Sequence, residues 1–373
     1  MLIGIDASRA NKDKKTGVEW YSYHLIEEFK KIDRENRYFL YTNVPLRGKL
    51  SVCPPNFEEK ILKWPIPRSW TIGRLSLEMK FGKEIPDVLF VPAHTLPLLN
   101  PKKSVVTIHD IGFEHFPEAY HWADKLYHKL IIQLIKRSAS KIISVSKYTK
   151  DDIVKTYKIP AKKIEVVLNG FDDENYKVSA QGKNILKEKC KIDFPYILFI
   201  GRLELKKNIP RLVEAFAKFK LKNPDDRHKL VLIGTRGLTF PLVEEQMKKF
   251  KIENEIIFPG WVSDDDLPIF LNNADLFVFP SIFEGFGIPV LEAMACGCPV
   301  ICSNSTSLPE AAGEAALLFD PADVDEIVSR MEQVLLNPVV AESLEIKGFE
   351  RAKNFSWKKC AEQTLKILTE AEV

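Results

Sequence analysis

Phe283-Glu284-Gly285-Phe286-Gly287-Ile288-Pro289-Val290-Leu291-Glu292 sets two carboxylates eight positions apart, with Gly285 and Gly287 between them. Pro289 reads as the opening of a helix, because the N–H that proline lacks would be unpaired there anyway. The helical spacing runs to Cys296, and Gly297 stands where a C-terminal cap glycine belongs. Upstream, Ala274-Asp275-Leu276-Phe277-Val278-Phe279-Pro280 reads as a buried strand. A strand, a glycine-bearing loop and a helix start form an anion site, since free amides and the helix dipole both aim at the ligand. Glu284 is expected in the loop and Glu292 about one turn into the helix, so both can face one small ligand. Carboxylates beside a phosphate repel it unless they bind something else. Sugar hydroxyls suit them, because an ionised carboxylate is a strong acceptor.

Outward from this stretch, strand and helix patterns alternate along the chain, which predicts an α/β protein with parallel sheets. In the first half the expected strands are Leu2–Asp6, Tyr38–Thr42, Val88–Val91, Ser104–Ile108, Lys141–Val145 and Ile164–Leu168. Helices are expected over Val18–Lys31 and Tyr120–Arg137, the second with apolar positions at Trp122, Leu126, Leu130, Ile131 and Leu134. A second set of strands starts at Tyr196-Ile197-Leu198-Phe199-Ile200-Gly201 and continues with Leu230–Ile233, Glu255–Phe258, the strand before the site helix, and Pro299–Cys302. The polar stretch Asp172–Lys189 reads as a linker. The arrangement predicts two Rossmann-like, doubly wound domains facing across a cleft, over 1–175 and 176–355, with ligands at the carboxyl ends of strands.

The totals fit this reading. The chain has 373 residues, 45% hydrophobic and 28% charged, which suits two soluble-type cores. No window approaches the ~18–20 apolar residues of a spanning helix. The N-terminus enters a strand pattern without a basic leader, so a cytoplasmic location is the default. Cys53, Cys190, Cys296, Cys298, Cys302 and Cys360 form no CxxC pair, and buried free thiols are expected. Residues 1–170 hold 29 Lys and Arg against 19 Asp and Glu. That surplus reads either as a solvated surface or as a face for an anionic partner such as a lipid surface. No nucleic-acid partner is expected.

The loop Gly201-Arg202-Leu203-Glu204-Leu205-Lys206-Lys207-Asn208 follows a strand and precedes a helix. It lacks both the GxGxxG and the Walker A patterns, so dinucleotide and NTP-loop readings are weak. It offers Arg202 and Lys207 instead, a fork donor and a point charge that together can neutralise a diphosphate. Thr107-Ile108-His109-Asp110 ends a strand, and His94 follows another. Gly17 precedes the first long helix.

The paired-glutamate stretch resembles the signature of the retaining glycosyltransferases of family 4. The resemblance continues through Ala293-Met294-Ala295-Cys296-Gly297-Cys298-Pro299-Val300 and Ser307-Leu308-Pro309-Glu310, and covers most of the chain. It implies the GT-B fold, with the helix over 356–373 crossing back to the N-terminal, acceptor-side domain. It implies transfer of a hexose from a nucleotide-diphosphate sugar with retention of configuration. GDP-mannose or a UDP-hexose is the implied donor, mannose being favoured, and a glycan or lipid-linked molecule the acceptor. No metal or other cofactor is implied.

By the same resemblance Arg202 and Lys207 hold the diphosphate at the Gly201 turn, and the backbone of Gly285, Phe286, Gly287 and Ile288 supports it. Glu284 holds sugar hydroxyls, Glu292 the ribose, and His109 lines the donor-sugar pocket with Asp110 beside it. Gly17 lies on the loop near donor and acceptor, where the family often has a second glycine at the position of Glu19. The alternatives are an epimerase or hydrolase on the same fold, and a non-catalytic partner subunit. The stretch Lys63-Trp64-Pro65-Ile66-Pro67-Arg68-Ser69-Trp70, running on to Phe81, mixes aromatic and basic residues as interfacial segments do. It suggests peripheral docking on an anionic membrane, the alternative being that both tryptophans are core.

Overall fold

The computed structural model describes residues 1–66, 69–179 and 183–370. The chain divides into two compact units: Met1–Gly170 with Ser356–Val373, and Phe171–Phe355. The division falls between Gly170 and Phe171, ahead of the expected 175/176 boundary. Pro67 and Arg68, from the aromatic and basic stretch, lie outside the described residues, as do the last three residues of the chain.

The first unit is built on a seven-stranded sheet in the order β3-β2-β1-β4-β5-β6-β7. Its strands are β1 Leu2–Asp6, β2 Arg37–Thr42, β3 Phe57–Ile61, β4 Val88–Val91, β5 Ser104–Ile108, β6 Lys141–Ser144 and β7 Ile164–Val166. All pairings are parallel. Every residue of β1, β4 and β5 is buried, which is why they read as mostly apolar runs: crossover helices cover both faces of a parallel sheet. The edge strand β3, Phe-Glu-Glu-Lys-Ile, has no such run and does not appear among the expected strands. Stacking of Tyr38 on Phe57, with ring centroids 4.1 Å apart, fixes it to β2.

The second unit holds a six-stranded parallel sheet, order β10-β9-β8-β11-β12-β13. Its strands are β8 Tyr196–Ile200, β9 Lys229–Ile233, β10 Ile256–Gly260, β11 Leu276–Phe279, β12 Val300–Ser303 and β13 Leu317–Phe319. The short edge strand β13 and the helix Pro338–Ala352 are additions to the sequence reading. Part of the expected linker forms a helix, Lys183–Cys190. All six cysteines are free, and Cys296, Cys298, Cys302 and Cys360 are buried.

Two expectations about the first unit change. In the helix Trp122–Ser138 the core face is Ile131, Ile132 and Ile135. Trp122, Leu126 and Leu130 are instead 68%, 52% and 62% exposed. Trp70 is core, 2% exposed, and its indole N–H donates to the Leu62 carbonyl at 2.7 Å. Trp64 is partly buried and packs against the same cluster.

The closing helix Trp357–Glu370 belongs to the first unit and packs on the helix Gly17–Ile32. Trp357 stacks on His24 with centroids 5.1 Å apart and meets Tyr21 edge-on. Gly170 permits this approach, since a Cβ there would lie 2.2 Å from the Trp357 backbone nitrogen. Backbone cannot yield as a flexible side chain can, so Gly170→Ala is expected to cost about 1–3 kcal/mol. Urea denaturation reads this as a lowered midpoint; an unchanged midpoint would mean the contact is not tight.

Candidate active site

In the second unit the strand order reverses between β8 and β11. Ligands of open α/β sheets bind outside the carboxyl ends of strands at such a point. Two loops leave there: 201–208 after β8, and 280–287 after β11. They are tied by the Ile282 amide, which donates to the Lys206 carbonyl at 2.9 Å.

The first loop is held in shape by its own backbone. Leu205–Lys207 forms one 3-10 turn, and Asn208 follows with φ of 60°. Asparagine tolerates this left-handed conformation better than most residues. Its buried side-chain amide donates to the Pro321 carbonyl at 2.7 Å, and the helix Ile209–Lys222 begins at once. Lys207 is thereby aimed at Glu284, and the two form a partly buried ion pair. The Lys207 ammonium also lies 5.4 Å from the centre of the Phe279 ring. Arg202 is more open: its side chain is 58% exposed, with Nε 3.4 Å from Glu204. Glu204 also lies 3.8 Å from Lys206.

The second loop is pinned from beneath. The Glu284 amide donates to the Thr306 hydroxyl at 3.1 Å, and the Ser307 hydroxyl reaches the Glu284 and Phe286 carbonyls at 2.9 and 3.1 Å. Thr306 has φ of 54°, unusual for a β-branched residue. Nothing in the spacing pointed to Thr306 as a support. Gly287 has φ of 110°, and a Cβ there would come within 2.6 Å of Leu308, so no other residue fits without strain. The site helix Ile288–Ala295 follows, with no side-chain cap and no acidic residue in its first turn. Its amide end is open to an anion. Phe286 is buried against Phe355, so it can offer a ligand its backbone and not its ring.

Glu292 is partly buried in the site helix; its carbonyl accepts from the Cys296 amide at 3.1 Å, and its carboxyl has no hydrogen bond among the described residues. Burial pushes its carboxyl up to about 8, and the acidic Asp264 and Asp172 add to the rise. A group in this state is short of donors, and hydroxyls would supply them.

His109 and Gly17 lie in the first unit. His109 is buried at the end of β5, and its Nε2–H donates to the Pro92 carbonyl at 3.1 Å, leaving Nδ1 as the acceptor. Its backbone amide donates to His94 Nδ1 at 3.3 Å. Burial holds both imidazoles below their usual range, hence neutral. Asp110 accepts from the Gly112 amide at 2.8 Å. Gly17 opens the first helix, with nothing within 4 Å of the place a Cβ would take. The structure thus joins Lys207 to Glu284 directly, and places Gly201, Arg202, Gly285–Ile288 and Glu292 in the same unit.

The sequence pattern of the family described as Glycosyl transferases group 1 matches residues 182–351, and that of Glycosyltransferase Family 4 matches 16–175. O-antigen chain mannosyltransferase B of Escherichia coli is 36% identical over 266 residues, 71% of this chain and 69% of its own. O-antigen chain mannosyltransferase RfbU of Salmonella typhimurium is 28% identical over 70% of this chain and 67% of its own. Among solved structures, Anabaena HepE in complex with UDP-glucose superposes with a TM-score of 0.76 over 99% of each chain, at 18% identity, a likeness of fold.

The raised Glu292 carboxyl has a stability consequence. Unfolded, it titrates near 4.5; folded, it keeps its proton to about 8. The folded chain therefore loses stability as pH rises between those values. Glu292→Gln is expected to melt higher at pH 8, by about 1–3 kcal/mol, with the gain vanishing toward acid pH. Calorimetry across that range checks it; equal melting at pH 8 would show that the carboxyl carries no burial penalty.

Proposed function

The chain belongs to the glycosyltransferases of family 4, with their GT-B fold, and on that premise we propose that it transfers mannose from a nucleotide-diphosphate mannose to a glycan or lipid-linked acceptor with retention of anomeric configuration. The observation that carries the reading is the Lys207–Glu284 pair at the reversal point of the second sheet. One partner suits a leaving diphosphate and the other suits sugar hydroxyls, and without a ligand each satisfies the other. The names of the two O-antigen mannosyltransferases support mannose, and GDP-mannose is the donor proposed. The complex of HepE with UDP-glucose supports a nucleotide sugar as the class of donor.

The chemical difficulty is departure of the nucleoside diphosphate from an oxocarbenium-like carbon. Negative charge grows on the phosphate oxygen as the glycosidic bond breaks. Lys207, on leaving Glu284, would meet that charge together with Arg202 and the open amide end of the site helix, and electrostatic stabilisation of this kind is usually the largest contribution to catalysis. Glu284 would hold donor-sugar hydroxyls and Glu292 the ribose. The acceptor hydroxyl would attack from the leaving-group face and give its proton to the departing phosphate. No metal ion takes part in this scheme. Arg202→Ala and Lys207→Ala are each expected to lower turnover with GDP-mannose by on the order of a hundredfold, in the presence of chelator throughout. Wild-type rates in both variants would place the diphosphate elsewhere. Loss of wild-type activity in chelator, restored by a divalent ion, would bring a metal into the scheme.

The lipid-linked form of the acceptor implies work at a membrane, and we propose peripheral docking of the first unit at the cytoplasmic face. No helix among the described residues is long and apolar enough to cross a membrane. Trp70 is core, so support comes from another place: the exposed stripe Trp122, Leu126 and Leu130, with Lys125 and Lys129 on the same helix. Apolar residues with lysines between them suit an anionic interface, each lysine adding about 1 kcal/mol near the surface. Co-sedimentation with anionic vesicles is expected, weakened by salt and by Trp122→Ala with Leu126→Ala. Absence of binding at low salt would remove the membrane and leave a soluble acceptor.

A further inference from the structure

The clasp beneath the loop 280–287 has a support of its own. From Thr306 and Ser307 the chain runs straight into the short helix Leu308–Ala312. The Ser307 carbonyl accepts from the Glu310 and Ala311 amides at 3.0 and 3.2 Å, so clasp and helix form one piece. Leu308 also lies against Gly287, where a Cβ would come within 2.6 Å of it. The place of this helix therefore sets the place of Glu284–Gly287. Five residues cannot fix that place themselves, because so short a helix nucleates poorly and leaves its last carbonyls unpaired.

Arg351 supplies what that helix lacks. It stands near the end of the helix Pro338–Ala352, in the same unit. Its Nε donates to the Ala311 carbonyl at 3.0 Å and its Nη2 to the Glu310 carbonyl at 2.5 Å. One planar fork thus takes two successive carbonyls, and its charge suits the carboxyl end of a helix. The guanidinium carbon lies 4.8 Å from the centre of the Phe355 ring, and Phe355 meets Phe286 with centroids 5.8 Å apart. Arg351 therefore reaches the loop by two routes, one through Ser307 and one through Phe286. Gly313 leaves room for it, since a Cβ there would sit 3.1 Å from Nε. Its own helix is steady: Leu344, Gly348 and Ala352 are buried, and a Cβ on Gly348 would come 3.1 Å from Met294 of the site helix.

We infer that Arg351 is a positioning residue of the donor site, holding Glu284–Gly287 in place through the helix Leu308–Ala312 and the Phe355 ring without touching a ligand. The hold itself rests on these contacts; its effect on sugar transfer rests on the donor reading. The loop needs an outside support because Gly285 and Gly287 make it pliable, and the left-handed Thr306 persists only where its surroundings impose it. Lysine would not serve. It keeps the charge, but a point donor cannot take both carbonyls and lie flat on a ring. The diphosphate side is expected to feel the change less, because Arg202 and Lys207 belong to the loop 201–208, which Asn208 ties to Pro321 instead.

The test reads amide hydrogen exchange by NMR on the full chain without ligand, in Arg351→Lys and Phe355→Leu. The probe is the Glu284 amide, which donates to the Thr306 hydroxyl. Its exchange is expected to quicken about tenfold in both variants, while the strand amides of Val278 and Ile301 keep the wild-type rate. Val243→Ala, a buried truncation elsewhere in the unit, is the control for a general loss of stability and is expected to leave the Glu284 amide unchanged. In Arg351→Lys, turnover of GDP-mannose is expected to fall about tenfold or more, while GDP affinity by calorimetry changes less than about threefold. The inference is overturned if either variant leaves the Glu284 amide at its wild-type rate, or if Val243→Ala quickens it as much. It is also overturned if the amide quickens and turnover stays at the wild-type rate, or if GDP affinity falls as far as turnover. A wild-type chain that turns over no GDP-mannose, with the expected exchange in the variants, keeps Arg351 as the holder of the loop and loses the donor reading.

Discussion

A parallel strand cannot return by a hairpin, so each connection must cross a face of the sheet, and the covered sheet then exposes only the ends of its strands. Where successive crossovers turn to opposite sides, the connections diverge and leave a gap. This chain has that gap twice, between β1 and β4 and between β8 and β11. The placing of its charged residues follows from the constraint. The buried strands are mostly apolar, while the gap carries Arg202, Lys207 and Glu284 in one unit and Asp6, Arg9 and Lys12 in the other.

The two gaps differ in how the helix end beside them is closed. In the second unit the helix end is left uncapped, and Arg202 stands largely in solvent. In the first, Glu19 closes the helix end and takes up two cations, and its own carboxyl is held down at about 2 by those bonds. The cations are paired in both, Lys207 with Glu284 as Arg9 and Lys12 are with Glu19, so the difference lies at the helix end. Glu292 carries a cost as well, because a partly buried carboxyl without donors lowers the stability of the ligand-free chain. Strain at Thr306 belongs with it, since a β-branched residue seldom takes a left-handed backbone unless its surroundings hold it there.

The sequence showed the central strands because burial on both faces leaves mostly apolar runs, and Val88–Val91 and Ser104–Ile108 have the same bounds in both readings. Edge strands lose that signal: β3 carries Glu58, Glu59 and Lys60 in succession, and only its Phe57 is buried. The helix Trp122–Ser138 offers two apolar stripes, and composition cannot say which one packs. Trp70 failed for the same reason, as its basic neighbours are visible in sequence and its burial is not. At the site, the glutamates, glycines and lysine were legible as a motif. The clasp of Thr306 and Ser307 was not, because it joins residues more than twenty positions apart through one unusual backbone angle.

The closing helix gives the chain an order of events. Ser356 onward belongs to the first unit, so the whole of Phe171–Phe355 is inserted within that unit's sequence. During synthesis the second unit is complete before the first has its last helix. Until then Tyr21, His24 and the backbone of Gly170 await Trp357, and the surface they form stays uncovered. Domains released in turn from a ribosome normally finish from the N-terminus. Here the N-terminal unit finishes last, and a chain ending just before Trp357 would carry the whole of the second unit beside a first unit still open to chaperones and proteases.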